Sequence, residues 1–215
     1  MADPRKATPL PMSVQPVRRL VQLAIGLTLY GASAALLVQA RLGNMPWDVL
    51  HQGLGNHLGM DFGTLSVIVG AAVLLLWIPL RQRPGIGTVS NVFMIGLTAN
   101  LFLHLLATPS AMAPRLVYLF GGTVLCGIAS GLYIGARLGP GPRDGLMTGL
   151  AARGLSIRLA RTGIEVVVVL AGVLLGGTLG VGTLVYALAI GPLVQLFLPL
   201  FTIRQAPVPD PAPAS

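Results

Sequence analysis

Charge is scarce in this chain of 215 residues: only 9% are Asp, Glu, Lys or Arg. A soluble domain carries about 25%, so a water-facing surface cannot be built from this composition. Cysteine is nearly absent, with Cys126 alone inside an apolar stretch. That excludes an internal disulfide and a cysteine metal cluster. Acidic residues number 6 against 14 basic ones, for a net charge of +8. Such an excess in a soluble protein points to nucleic acid. Here no basic run with interleaved aromatics exists, and the arginines stand singly or in pairs beside apolar segments. Nucleic acid is therefore excluded as a partner. Also missing are a Ser/His/Asp set, a zinc signature and a nucleotide fingerprint. Gly-Pro-Gly-Pro at 139–142 is followed by no Gly-Lys-Ser/Thr. No cofactor or metal is expected, and the chain is not expected to be an enzyme.

What is abundant is apolar sequence: 54% hydrophobic residues and a mean hydropathy of +0.81. The lipid bilayer is the implied solvent. The gaps between charges define six candidate spans: Leu20 to Ala40, Phe62 to Leu80, about Thr88 to Ala107, Leu116 to Ala136, Thr162 to Gly177, and Thr183 to Ile203. Five reach the roughly 17–25 residues a crossing helix needs, and Thr162 to Gly177 is marginal. Val38-Gln39-Ala40 imitates a signal-peptide cleavage site. The preceding run exceeds an h-region, and the same pattern recurs internally before Ala136, so the first span is read as retained. The N-terminal residues 1–17 and the Pro-rich tail 205–215 read as disordered.

Two segments of this chain are copies. Ala40-Arg-Leu-Gly-Asn-Met-Pro-Trp-Asp-Val-Leu-His-Gln-Gly-Leu54 returns as Ala136-Arg-Leu-Gly-Pro-Gly-Pro-Arg-Asp-Gly-Leu-Met-Thr-Gly-Leu150, identical at nine of fifteen positions. Gly85-Ile-Gly-Thr88 likewise returns as Gly180-Val-Gly-Thr183. Residues 18–107 and 115–204 are thus read as two membrane repeats, each helix, motif, helix, Gly-x-Gly-Thr, helix. Three crossings per repeat is an odd number, which sets the repeats in opposite orientations. With both termini cytoplasmic, twelve basic residues fall inside and two, Arg41 and Arg115, outside. Making each motif a full crossing lowers the ratio to nine against five. The fold expected is all-α and membrane-integral, with about six crossings in two inverted three-helix repeats, each holding a short polar motif helix or re-entrant segment.

The segments 43–53 and 132–150, with Arg161-Thr-Gly-Ile-Glu165, resemble the YczE/YyaS/YitT group of bacterial integral membrane proteins. The resemblance covers about residues 18–204. It implies a multi-pass protein of a bacterial inner membrane, and it implies no reaction, ligand or functional residue.

The motif residues support two readings. Asp48 and Asp144 each stand two residues after a proline, where a carboxylate satisfies free N–H groups at a helix start. Arg41 and Arg137, seven residues earlier, would then pair with them across the turn. Alternatively both motifs dip into the membrane and bring Asp48 and Asp144 to a shared midplane site. Carboxylates there suit a cation, a proton or an amine. Helix N-termini with Arg41, Arg137 and Arg143 suit an anion. Glu165 is the one acid inside an expected span, either a site residue or a pair with Arg161. Asn91 serves interhelical bonding or a ligand. A lone His104 is read as a packing residue rather than a proton relay. The functional expectation is a transporter or channel for a small solute or ion. Its small size leaves room for a homodimer. The alternative is a non-transporting accessory or scaffold protein that holds a partner.

Overall fold

A computed structural model describes residues 10–203. The described residues form eight helices and no strand: α1 (Pro16–Ala40), α2 (Pro46–Leu58), α3 (Phe62–Leu80), α4 (Ile86–Leu105), α5 (Met112–Gly135), α6 (Pro142–Ala151), α7 (Ile157–Leu174) and α8 (Val181–Phe201). Five of them, α1, α3, α4, α5 and α8, are long and apolar enough to cross a bilayer. The expected fifth span is present as the 18-residue α7, which carries Arg158, Arg161 and Glu165 in its first half. Large apolar side chains such as Ile78, Leu97, Val117, Leu174, Leu188 and Leu200 are exposed around the outside. Such a surface needs lipid against it.

Local chemistry sets the helix starts. Proline opens α1, α2 and α6, where its missing N–H costs nothing. Asp61 caps α3 by accepting from the Thr64 backbone N–H at 2.8 Å, and Ser156 caps α7 through Leu159 at 3.2 Å. At α4 and α8 the cap is a glycine whose N–H donates to a threonine three residues on: Gly85 to Thr88 at 3.1 Å, Gly180 to Thr183 at 3.4 Å.

The core is the α1–α5 pair, whose contacts come in exchanged sets. Gly26 of α1 abuts Ala129, Leu132 and Tyr133 of α5, while Gly122 of α5 abuts Ser33, Leu36 and Leu37 of α1. Arg19, fully buried, donates to the carbonyls of Ala136 (2.8 Å) and Arg137 (2.9 Å) at the end of α5. Arg115 donates to those of Ala40 (2.8 Å) and Arg41 (2.6 Å) at the end of α1. Each helix therefore starts beside the end of the other, so the two run antiparallel. Around this pair, α4 packs on α1 and α8 on α5, while α2 packs on α7 and α6 on α3.

The N-terminal boundary differs from expectation. Helix α1 begins at Pro16, and Leu10 before it is buried, with its N–H donating to Arg137 O at 3.2 Å. The guanidinium of Arg19 explains this: it also binds the carbonyls of Leu10, Pro11 and Val14, which ties residues 10–15 to the bundle. The rest of the expected disordered termini, with Arg204, lies outside the described residues.

Candidate functional site

The site grows from the two copied motifs. After α1 ends, Arg41 adopts φ 52° and Gly43 φ 116°, and the chain doubles back into the bundle. Met45 then packs among Ala34, Leu37 and Ala40 of the helix just left, and the Tyr30 hydroxyl lies 3.9 Å from its sulfur. Helix α2 thus begins inside the bundle. After α5 the same turn recurs, with Arg137 at φ 55° and Gly139 at φ 129°. Helix α6 begins beside Tyr133, whose hydroxyl donates to Asp144 Oδ2 at 3.2 Å.

Each turn is seated on the opposite half of the chain. Gly182 N–H donates to Leu42 O at 2.7 Å, and Gly87 N–H to Leu138 O at 2.9 Å. A Cβ on Gly43 would lie 2.7 Å from Gly180 N, and one on Gly139 2.8 Å from the Thr88 hydroxyl. The copied Gly-x-Gly-Thr segments are therefore cradles for the copied motifs. At the centre the starts of α2 and α6 meet. The Arg143 guanidinium stacks 4.9 Å from the ring centre of Trp47, the residue at its own position in the other motif.

Two unequal cavities flank this contact. One, of about 320 Å³, is lined by Tyr30, Tyr133, Tyr186, Arg143, Asp144, Arg161 and Glu165. The other, of about 20 Å³, is lined by Trp47, His51, Ser66, Gly70, Asn91 and Arg143. Arg143 and Trp47 border both. The small cavity lies along α3 and α4, which pack on each other. There Gly63 N–H donates to Asn100 Oδ1 at 2.7 Å, Asn100 also bonds Asp61, and the Gly63 and Gly96 backbones touch. Helices α7 and α8 form no comparable seam. Between them runs an apolar groove of about 530 Å³, lined by Val166, Val169, Leu170, Leu179 and Leu184, which meets the large cavity at Glu165.

The residues singled out by sequence separate accordingly. Asp144, Arg143 and Glu165 share the large cavity, and Glu165 accepts from Arg161 at 3.1 Å. Asn91 lines the small one. Asp48 is buried on α2, at 3.3 Å from His51 Nδ1. Its Oδ2 has no hydrogen-bond partner. Asp48 stands in the first turn of α2, where its charge faces the positive end of the helix, and no side chain caps that helix at Met45. Arg41 and Arg137 lie in the turns, and no ion pair joins them to Asp48 or Asp144. Their carbonyls serve Arg115 and Arg19, and Arg137 also reaches Ile203 O at 3.4 Å. His104 is exposed and bonded to the Asn100 carbonyl at 2.7 Å. Sequence reading passed over Tyr30, Tyr133, Tyr186 and His51 as site residues, and took Arg19 and Arg115 for topology charges. The equal spacing of Arg19 and Arg115 within their halves was the available signal.

A helical bundle with an apolar exterior and buried polar cavities is an integral membrane protein. Residues 17–199 match a family described as a family of unknown function, DUF6198, and the chain belongs to that family. An uncharacterized protein of Haemophilus influenzae is 41% identical over 177 residues, covering 82% of this chain and 81% of its own. The uncharacterized membrane protein YczE of Bacillus subtilis is 32% identical over 177 residues, 81% of this chain and 82% of its own. The uncharacterized protein YyaS of the same species is 26% identical over 183 residues, 82% and 90% respectively. No solved structure matches the chain.

Proposed function

We propose that the protein is a small-solute or ion transporter of a bacterial inner membrane, not an enzyme, with α7 as its sixth crossing and its two halves as inverted repeats. The observation that carries this is the pair of unequal cavities at one junction, about 320 Å³ and about 20 Å³. A pseudo-symmetric carrier that alternates about a central site has unequal space on the two sides of that site in any one state. Supporting it are the antiparallel α1–α5 pair and the exchanged contacts of the two motifs. Both termini are assigned to the cytoplasm by the arginine distribution. The substrate is assigned to the large cavity. Arg143 faces it with no ion-pair partner among the described residues, Asp144 is held by Tyr133, and Arg161 with Glu165 lines it where the groove meets it.

The test is a thermal-shift screen of the purified protein in detergent against ions, amines, organic acids and lipids, followed by flux into proteoliposomes. A ligand that stabilises the wild type and not Asp144→Asn, and that is taken up by vesicles, establishes the reading. The second reading, a scaffold for a partner's transmembrane helix, is favoured by the α7–α8 groove. It prevails if no ligand stabilises the protein and Asp144→Asn merely melts lower.

A further inference from the structure

The second polar cluster of this bundle lies outside the large cavity. His51 is 1% exposed and Asp48 4%. Their side chains approach to 3.3 Å but are not aligned as a hydrogen bond, and three polar atoms, Asp48 Oδ2 with His51 Nδ1 and Nε2, have no partner. Leaving one buried polar group unsatisfied costs about 1–3 kcal/mol. A histidine kept only for packing would bond one ring nitrogen to a carbonyl, as His104 does. Here the ring instead lines the small cavity beside Ser66 and Asn91. At about 20 Å³ that space admits a single water.

We propose that His51 and Asp48 form a proton-binding site in the bundle, holding one proton as an imidazolium–carboxylate pair and releasing it to the water of the small cavity. The proton is taken from water and returned to water, and no other bond changes. With the proton bound, the pair is internally neutral, and a charge-assisted bond from His51 Nδ1 to Asp48 Oδ1 satisfies one of the atoms left open here. With the proton gone, the carboxylate charge falls to Arg143, which borders the same cavity. Arg143 is shared with the large cavity, so protonation changes the charge facing the substrate. The other neighbours carry no formal charge in this role. The α3 residue Phe62 meets the His51 ring edge-on at 5.6 Å, α4 offers Asn91, and α7 packs Gly172 against α2. On the Asp48 side stand Tyr30 of α1, Cys126 of α5 and Tyr186 of α8. The use of this proton as a coupling ion rests on the transporter reading; its binding does not.

The experiment is an NMR titration of 15N-histidine protein in detergent, with His57→Gln and His104→Gln leaving His51 as the single signal. We expect a one-proton titration of His51 below its ordinary value of 6.5, because burial disfavours the charged ring. In Asp48→Asn its proton affinity falls about tenfold, one pH unit. In Asp48→Glu it stays near the wild-type value, and in Arg143→Gln it rises. The last two keep the test decisive if Asp48→Asn does not fold. A ring that stays neutral throughout, or a curve unchanged by both Asp48→Asn and Arg143→Gln, overturns the proposal. No gradient or substrate is involved. Failure here would leave the transporter reading with another coupling ion, and failure of flux would leave the proton site standing.

Discussion

At the scale of single residues, Arg19 is the most committed side chain in the bundle. It is buried with no exposed surface and donates to carbonyls of Leu10, Pro11, Val14, Ala136 and Arg137. Arg115, half outside, has two such acceptors. We expect Arg19→Met to cost about 3 kcal/mol or more, because several buried carbonyls lose their donor together. Arg115→Met should cost less, and Arg19→Lys should rescue poorly, since one ammonium cannot span the fork. Thermal melting in matched detergent orders the three. Asp61 gives a pH signature. The Thr64 backbone N–H, followed by the Asn100 amide and the Thr64 hydroxyl, holds its carboxyl below the ordinary 3.8. A depressed value in the folded state means the stabilisation is complete above the unfolded value and lost as pH falls through the folded one. The melting temperature of the wild type should therefore drop below about pH 4 more steeply than that of Asp61→Asn. Parallel curves would remove Asp61 from the α3–α4 seam.

At the scale of elements, the motif turns are the least substitutable backbone. Gly43 and Gly139 combine φ 116° and 129° with backbone of the other half at van der Waals distance. A side chain there meets both strain, about 1–3 kcal/mol, and a collision that the cradle can relieve only by moving. Gly43→Ala and Gly139→Ala should each destabilise by more than about 2 kcal/mol, against near-neutral effects at exposed Gly163, where a Cβ meets nothing. Hydropathy made these elements legible in part. The second span was expected at Phe62 to Leu80 and found there, because Asp61 and Arg81 bracket an unbroken apolar run. The proline-led motifs became helices as their composition suggested. Their depth was not readable, since a turn that re-enters a bundle and one that caps a surface helix share the same Gly, Pro and Asp. The buried Asp48–His51 pair was hidden for that reason. The cavity tyrosines were hidden for another: an aromatic on an apolar helix carries no mark of which face it takes.

At the scale of the whole molecule, the two halves differ where a moving protein would. Asp61 and Asn100 latch α3 to α4 at one end of the bundle. The positions related to them by the copied Gly-x-Gly-Thr register, 95 residues on, are Ser156 and Gln195. Ser156 caps α7 as Asp61 caps α3, yet Gln195 lines the large cavity and no hydrogen bond joins it to Ser156. If the halves exchange roles, Ser156 and Gln195 come together as the α3–α4 seam parts. Cysteine pairs test this in a Cys126→Ala background with a short bifunctional thiol reagent. Asp61→Cys with Asn100→Cys should cross-link at once. Ser156→Cys with Gln195→Cys should cross-link slowly, and faster once a ligand stabilises the closed form, because a ligand shifts populations only through its preference for one state. On the transporter reading, either cross-link should stop uptake into vesicles relative to the same double variant before the reagent is added. A Ser156–Gln195 pair that never reacts, with its partner pair reacting fully, would make the α7–α8 gap permanent. The groove would then be a fixed seat for another helix, and the scaffold reading would follow from the same geometry.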